Sequence, residues 1–381
     1  MSRRSTRRDF LKGRSAADAL ADAAATGPLA ADAPRPGLAG AGYVIRVGRR
    51  AMACEFEVLL NAGQYPAGAE AALRALDLLE GLEEQLSVFR PGSAISNVNR
   101  TASARPVEVE PNLFELLQLA ARLYVATGHT FDITAAPLWE VWGFAGRAAR
   151  VPEKAELDEA LAHVGGNLIE LDPYHRTVRC LKEGVRLNLG GIGKGYALDR
   201  CAEALTEAGI GDFLLHAGAS SVAARGHALA DPPGWIVGIP HPLRPGRRLA
   251  ELRLVNRALA TSGSRFQSFV HEGRRLSHVL DPRTGWPAEG VIAATALAPD
   301  AATADALSTA FFILGPEGTQ AFCDAHPAIA AVLCTPASGR GGYELHRFGL
   351  DEGDLRPVDT PYQGPSLASR PHQHGDPRAD V

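Results

Sequence analysis

The feature that most constrains the fold is a glycine-rich turn at 188–195, with the sequence Asn-Leu-Gly-Gly-Ile-Gly-Lys-Gly. The apolar stretch Val185–Leu189 before it predicts a strand, and the residues after it predict a helix from Lys194 to Ala208. Glycines let a backbone approach a ligand closely, and a helix N-terminus offers free N–H groups and a positive dipole end. The turn therefore suits a phosphate, although a purely structural strand-to-helix turn explains the same residues. Its spacing matches neither a Walker A loop nor a dinucleotide-binding fingerprint.

A second segment, predicted as a helix over Thr303–Leu314, carries a carboxylate and a hydroxyl one turn apart. Asp305 and Thr309 stand at positions i and i+4, so their oxygens lie on one helix face. Such a pair suits Mg²⁺, which prefers hard oxygen ligands and keeps waters and substrate phosphates in its shell. An aspartate near a helix start also serves as a cap or a dipole partner, and that reading stays open.

Three further polar segments could line a ligand site. Ser277–Gly285 contains a turn sequence in which His278 could contact a phosphate or act as a base, or could be a packed structural histidine. Thr127–Thr134 is a polar turn whose aromatic residue could hold a ring system, or could simply stabilise the turn. Leu86–Ser96 ends a leucine-rich helix and presents Phe89 with its arginine neighbour.

Hydrophobic periodicity predicts helices and strands that mix without a regular βαβ rhythm, so the fold class is α+β. Helices are predicted over Ala67–Leu86 and from Pro111 onward. Strands are predicted at Gly42–Arg46, Phe56–Leu60, Asn167–Leu171, Thr177–Leu181, Phe213–His216, Trp235–Ile239, Leu249–Val255, Ala258–Thr261, Val291–Leu297 and Ile329–Leu333.

Composition excludes several classes of protein. The net charge of −4 argues against a nucleic-acid binder. No run approaches the roughly 18 apolar residues of a transmembrane helix. The five cysteines are dispersed, without C-x-x-C pairs, and read as buried free thiols.

The chain divides into three predicted regions. Residues 1–34 form a twin-arginine-type signal segment, because Arg7 and Arg8 precede Phe-Leu-Lys and an Ala-rich stretch; a basic disordered tail is the alternative. Residues 36–350 form the folded domain, and 351–381 form a disordered polar tail. We therefore expect an exported, periplasmic protein with room for peripheral membrane association.

Taken in order, these segments resemble the FAD:protein FMN transferases, the ApbE-like flavin transferases. The likeness runs from about Met52 to Gly315. The family's patterns correspond here to Met-Ala-Cys-Glu-Phe at 52–56, the Leu-Ser segment at 86–93, Gly-His-Thr-Phe-Asp at 128–132, the glycine turn at 188–195, Ser-His-Val-Leu-Asp-Pro-Arg-Thr-Gly at 277–285 and Ala-Asp-Ala-Leu-Ser-Thr-Ala at 304–310.

The resemblance implies an ApbE-like fold of two interlocked α/β halves with FAD between them and Mg²⁺ on its diphosphate. It assigns the metal to Asp305, Thr309 and the backbone oxygen of Gly191. It assigns FAD binding to Met52, Phe89, Thr130, Phe131, Asp132, Asn188, Lys194, His278 and Leu280. His278 is the candidate base. The implied reaction moves the FMN half of FAD onto a Thr or Ser hydroxyl of an acceptor redox protein and releases AMP.

The chain departs from the family pattern at three places. Asn188 replaces an aspartate, Cys54 replaces a small hydroxyl residue, and Ala217–Ser221 replaces a Gly-Gly-Asp-type turn. Two alternative functions therefore accompany transfer: hydrolysis of FAD to FMN and AMP, and non-catalytic flavin binding by an assembly factor for a periplasmic metalloenzyme.

Overall fold

The computed structural model describes residues 43–144, 149–218, 220–229, 233–244, 246–263, 268–337, 342–351 and 353–358. The predicted signal segment at 1–34 and most of the predicted tail lie outside these residues.

Strands and helices both contribute to the described structure, which confirms the α+β class. The strands are β1 Val44–Ala51, β2 Cys54–Asn61, β3 Val107–Glu108, β4 Ile169–Asp172, β5 Thr177–Cys180, β6 Phe213–Ala217, β7 Ser221–Arg225, β8 Trp235–Pro240, β9 Arg248–Leu254, β10 Ala258–Gly263, β11 Ser268–His271, β12 Arg274–Ser277, β13 Ala293–Ala298, β14 Ala330–Pro336, β15 Tyr343–Phe348 and β16 Leu355–Pro357. The helices are α1 Gly68–Leu86, α2 Ala94–Thr101, α3 Pro111–Ala126, α4 Ala136–Val141, α5 Lys154–Leu161, α6 Gly193–Glu207 and α7 Ala301–Ala325.

The main sheet is antiparallel, in the order β1-β2-β6-β7-β10-β13-β14-β15. The small sheet β16-β9-β8 packs on one face, and helices α1, α6 and α7 pack on the other. Strand β6 shows why both faces are apolar: Phe213 and Leu215 join the helix-side core, whereas Leu214 joins the core under the small sheet. The buried sheet therefore holds the strand ends in fixed register.

The helices that were predicted from leucine spacing lie where expected. In α1, Leu76, Leu79, Leu82 and Leu86 are buried against the sheet, although Leu73 is exposed. Helix α6 begins directly at the glycine turn. Asp300 is the N-cap of helix α7, and its side chain accepts a hydrogen bond from the backbone N–H of Thr303.

Helix α7 continues past the predicted end through a kink. Gly315 has φ 69° and is followed by Pro316. Glycine accepts this left-handed conformation, and proline can begin the next helical segment. The prediction that ended the helix at Leu314 therefore identified its straight part.

The predicted strand Val185–Leu189 is wrong, because this segment joins no sheet. The side chain of Asn99 replaces the ladder partner: its Nδ2 donates to the carbonyl of Leu187 at 2.9 Å, and its Oδ1 accepts from the same residue's N–H at 2.7 Å. The N–H of Asn188 donates to the carbonyl of Ile133. A single polar side chain thus satisfies the backbone that leads into the turn.

Strand β16 lies inside the region predicted as a disordered tail. Leu355 is buried and pairs with Leu252 of β9. Residues 359–381 lie outside the described structure.

A third hydrophobic cluster packs α4 and α5 against β12 around Trp142. It carries Trp139 on α4, next to His278. Within the described residues, no helix is long and apolar enough to cross a membrane. All five cysteines are free, and four are buried while Cys54 is partly exposed.

Candidate active site

The glycine turn leads into α6 and places the positive charge of Lys194 at the N-terminal end of this helix. Within the turn, the N–H of Gly190 donates to the side chain of Asn188 at 2.8 Å, and the N–H of Gly193 donates to the carbonyl of Leu189 at 2.7 Å. Lys194 therefore stands in the first turn of α6. Its charge adds to the positive end of the helix dipole, which favours an anion at this position.

Asp305 is the carboxylate that faces this point, and its side chain is only 5% exposed. One oxygen, Oδ1, lies 3.6 Å from Nζ of Lys194 and accepts a hydrogen bond from the hydroxyl of Ser221 at 3.2 Å. The other, Oδ2, accepts from the N–H of Gly195 at 3.1 Å. The two segments predicted to act together are thus in direct contact, although 110 residues separate them in sequence.

Thr309 lies one turn further along α7 and faces the same turn. A Cβ built on Gly191 would lie 3.7 Å from its Oγ1. The hydroxyl of Ser262 lies 3.3 Å from Oγ1 of Thr309 and 2.8 Å from Oγ of Ser308. The three residues predicted as metal ligands, Gly191, Asp305 and Thr309, are therefore brought together.

The chemistry of this set fits a hard divalent cation. A buried carboxylate, a hydroxyl and the backbone of a glycine turn supply oxygen only, as Mg²⁺ prefers. Within the described residues, no group of three or more His, Cys, Asp and Glu side chains could hold a metal. A single protein carboxylate leaves room for substrate phosphates to complete the shell of the ion.

Helices α6 and α7 approach each other so closely that Gly195 has no substitute. A Cβ at this position would overlap the carbonyl of Ala301. Next to this contact, both oxygens of Asp199 accept hydrogen bonds at 2.8 Å from the N–H groups of Ala301 and Ala302. Burial raises the pKa of Asp199 to about 7, while these hydrogen bonds act in the opposite direction.

Met52 occupies the turn between β1 and β2. Met52 and Ala53 both adopt positive φ values, 47° and 60°, and Ala51 pairs with Cys54 across the turn. Burial raises the pKa of the Cys54 thiol to about 11, Lys194 lowers it, and the negative charge of Asp305 raises it. The turn with Met52 therefore lies in the electrostatic field of the Lys194–Asp305 pair.

The three residues at 130–132 have different surroundings: one packs on the glycine turn, and the other two form hydrogen bonds within their own turn. The ring of Phe131 lies 3.4 Å from a Cβ built on Gly191, so it packs on the glycine turn. Thr130 is buried, and its hydroxyl donates to the carbonyl of Thr127 at 2.9 Å. Asp132 accepts hydrogen bonds from the N–H and the hydroxyl of Thr134, and burial raises its pKa. The structure shows Thr130 and Asp132 as supports of this turn.

Next to the glycine turn opens a cleft of about 360 Å³, which is lined by Phe89, Trp139 and Asn188 among others. Phe89 is 79% exposed, so its ring is free to cover a planar ligand. Aromatic rings stack favourably on other planar systems. The cleft therefore offers room and an aromatic wall for a flat ring beside the glycine turn.

His278 lies at Trp139, with ring centroids 5.9 Å apart in an edge-to-face arrangement. Trp139 itself lines the cleft, so His278 is one side chain away from it. Leu280, in contrast, has its side chain buried in the cluster around Trp142 and forms a bridge with Pro287. Only the backbone of Leu280 is left to face a ligand.

Sequence reasoning missed two serines and a tryptophan at the site. Ser221 begins β7, which was not predicted, and Ser262 lies near the end of β10. Ser221 ends the segment Ala217–Ser221 that departs from the family pattern, and this departure is the signal that could have marked it. Ser262 has no local motif, because it reaches the site through strand pairing. Trp139 belongs to a short helix, α4, for which six residues gave no periodic signal.

Comparisons with known proteins identify the family of the chain. Residues 52–333 match the ApbE family. The chain is 30% identical over 284 residues to an FAD:protein FMN transferase of Haemophilus influenzae, and this alignment covers 72% of this chain and 82% of the relative. It is 31% identical over 273 residues to an FAD:protein FMN transferase of Treponema pallidum, covering 68% of this chain and 75% of the relative.

Solved structures show the same fold. The ApbE protein of Thermotoga maritima superposes with a TM-score of 0.71 at 29% identity, covering 80% of this chain and 97% of that one. The flavinyl transferase ApbE of Pseudomonas stutzeri superposes with a TM-score of 0.70 at 26% identity, covering 81% of this chain and 95% of that one. The family match spans most of this chain and includes every predicted site residue, so the chain belongs to the ApbE family.

Proposed function

We propose that this chain is an FAD:protein FMN transferase, which moves the FMN half of FAD to a Thr or Ser hydroxyl of an acceptor redox protein and releases AMP. The observation that carries the proposal is the contact between Lys194 at the start of α6 and Asp305 on α7. A positive helix end and a buried carboxylate next to a hydroxyl suit a diphosphate bound with a cation. The relatives named above are FAD:protein FMN transferases, which supports the same substrate.

In the proposed reaction, the acceptor hydroxyl oxygen forms a bond to the phosphorus that carries riboflavin. The bond from this phosphorus to the bridging oxygen breaks, and AMP leaves with the electron pair. The hydroxyl proton passes to a ring nitrogen of His278, the candidate general base. Such reactions depend on positioning and on charge stabilisation more than on covalent catalysis.

The protein's own residues supply most of these requirements. Lys194 holds phosphate oxygens at the positive end of the α6 dipole, and Phe89 covers a flat ring in the cleft. Asp305, Thr309 and the carbonyl of Gly191 would hold Mg²⁺, which supplies Lewis-acid neutralisation of phosphate charge when bound. Trp139 packs against His278 and limits the positions its ring can take.

The experiment that tests the proposal incubates the purified protein with FAD, Mg²⁺ and a candidate acceptor domain, with and without EDTA. We expect flavin fluorescence on the acceptor band of a denaturing gel, one AMP per labelled acceptor, and loss of both with EDTA. AMP without labelled acceptor indicates the hydrolase. Tight FAD binding without AMP under any condition rules out both enzymatic functions and leaves the non-catalytic flavin carrier.

We further propose that the protein is exported by the twin-arginine route and acts in the periplasm on an exported or membrane-bound acceptor. The support is the sequence of the segment at 1–34, in which Arg7 and Arg8 precede Phe10 and Leu11.

A further inference from the structure

Glu83, near the end of α1, connects two segments that are distant in sequence and are both proposed to contact FAD. Its Oε2 accepts a hydrogen bond from the backbone N–H of Met52 at 3.2 Å. The same oxygen lies 3.3 Å from Nη2 of Arg90, the residue after Phe89. One carboxylate oxygen therefore holds the β1–β2 turn and the loop that follows α1.

The Met52 turn needs such a partner. Residues other than glycine rarely adopt positive φ, and Met52 and Ala53 do so in succession. A conformation of this kind persists only where the surrounding structure fixes it. A hydrogen bond from a backbone N–H to an ionised carboxylate is among the stronger ones, which makes Glu83 an effective anchor.

Glu83 is more enclosed than its neighbour in sequence and shares the electrostatic surroundings of Cys54. Its side chain is 23% exposed, compared with 66% for the neighbouring Glu84. The negative charge of Glu83 also raises the pKa of Cys54, the same thiol that senses Lys194 and Asp305. Glu83 thus lies at the wall of the proposed site and not at a remote surface.

We propose that Glu83 is a positioning residue for flavin: its carboxylate sets the separation between the Met52 turn and the Phe89–Arg90 loop, so that both can contact one FAD molecule. The inference rests on the proposed flavin site. It assigns no chemical step to Glu83, which would act through Met52 and Phe89.

The test compares Glu83→Gln with Glu84→Gln in the full-length protein. Glu84 is a matched control, because it removes the same charge one residue away and lies 3.9 Å from Arg90 without contacting Met52. We expect Glu83→Gln to raise the Kd for FAD, measured by flavin fluorescence titration, roughly tenfold, because glutamine keeps an acceptor oxygen but loses the charge that strengthens the contacts with Met52 and Arg90. KM for FAD should rise similarly while kcat changes less than threefold, and Glu84→Gln should match the wild type.

A second variant, Arg90→Met, removes one of the two contacts and keeps the other. We expect it to weaken FAD binding less than Glu83→Gln does, and the double variant to be no weaker than Glu83→Gln alone. Thermal unfolding distinguishes the positioning role from a purely structural one. A purely structural role would lower the Tm of Glu83→Gln but leave its Kd for FAD unchanged at temperatures below the melting range.

Equal Kd values for Glu83→Gln and the wild type would overturn the inference and leave the proposed function intact. Binding of FAD by the wild type without transfer contradicts the transferase alone, and the Kd comparison still decides the role of Glu83. Absence of FAD binding by the wild type contradicts both.

Discussion

At the scale of single residues, Asp305 combines burial with contacts from three groups. Its charge is balanced by Lys194 in the protein itself, and a bound cation would add to that balance. Asp305→Asn keeps the shape of the side chain and removes the charge. We expect Mg²⁺-dependent AMP release to fall by about 100-fold or more, since loss of one electrostatic contact at a reacting centre has effects of that order. The measurement is AMP formation at saturating FAD across a range of Mg²⁺ concentrations.

A matched control for this variant lies at the start of the same helix. Asp300→Asn changes the same residue type, and asparagine is an equally good N-cap, so α7 should keep its start. Its turnover should stay within about threefold of the wild type. Full activity of Asp305→Asn would contradict the metal assignment.

Asp199 gives a second prediction at this scale, in the stability of the protein. Burial raises its folded-state pKa to about 7, well above the ordinary value for an aspartate, so the folded protein binds the proton more tightly than the unfolded chain does. The contribution of Asp199 to the free energy of unfolding therefore falls as pH rises from about 4 to about 7, at up to about 1.4 kcal/mol per pH unit.

Urea unfolding at several pH values between 4 and 8 checks this prediction. Asp199→Asn cannot ionise, so the decrease between pH 4 and pH 7 should be smaller in the variant than in the wild type. Identical pH profiles for the two proteins would show that the hydrogen bonds from Ala301 and Ala302 outweigh burial and keep Asp199 ionised.

At the scale of elements, the contact between α6 and α7 sets the geometry of the site. Gly195→Ala places a methyl group on the carbonyl of Ala301, so the two helix starts must separate and Lys194 must move from Asp305. We expect the free energy of unfolding to fall by roughly 1–3 kcal/mol, as in other overpacked cores. FAD binding should weaken in the same variant.

The neighbouring glycine provides the control. A Cβ on Gly193 would meet only Cδ1 of Leu86 at 3.8 Å, which is an ordinary contact. Gly193→Ala should therefore keep wild-type stability and FAD affinity in chemical denaturation and fluorescence titration. Similar losses in both variants would show that glycine is needed for backbone freedom and not for helix approach.

The same elements show what the sequence could predict. The turn with α6, and the pair of oxygens on α7, follow from local rules of helix spacing and glycine conformation, and their positions agree with the structure. The alternating apolar residues of Val185–Leu189 predict a strand, but the side chain of Asn99 binds the backbone of Leu187 in place of a neighbouring strand, and no local pattern connects the two. Leu355 was placed in a disordered tail because its three-residue strand is too short for a periodic signal.

At the scale of the whole molecule, the site depends on contacts between distant parts of the chain. Ser262 and Glu83 reach it through strand pairing or helix packing, so no local motif marks them. The family resemblance supplied the pairing of the glycine turn with Asp305, which the spacing alone could not. These side chains form a candidate active site because the fold brings them together from distant parts of the chain.

The proposed export also concerns the whole molecule, because the twin-arginine route carries proteins that are already folded. The signal at 1–34 would then move the domain across the membrane with α6 and α7 already packed and the site already formed. Replacing Arg7 and Arg8 by lysine keeps the charge and removes the paired guanidinium groups. We expect this variant to accumulate in the cytoplasm, where fractionation and immunoblotting would find it as active, full-length protein.

The acceptor assay distinguishes failed export from failed folding. Cytoplasmic extract of the Arg7→Lys, Arg8→Lys variant should label an added acceptor domain with flavin as efficiently as the wild type, because the substitutions lie far outside the predicted domain 36–350. Acceptors in the periplasm of the same cells should stay unlabelled, since the enzyme would no longer reach them. An unchanged periplasmic share of the variant would mean that the paired arginines are part of a basic tail and that the route of export, if any, depends on other residues.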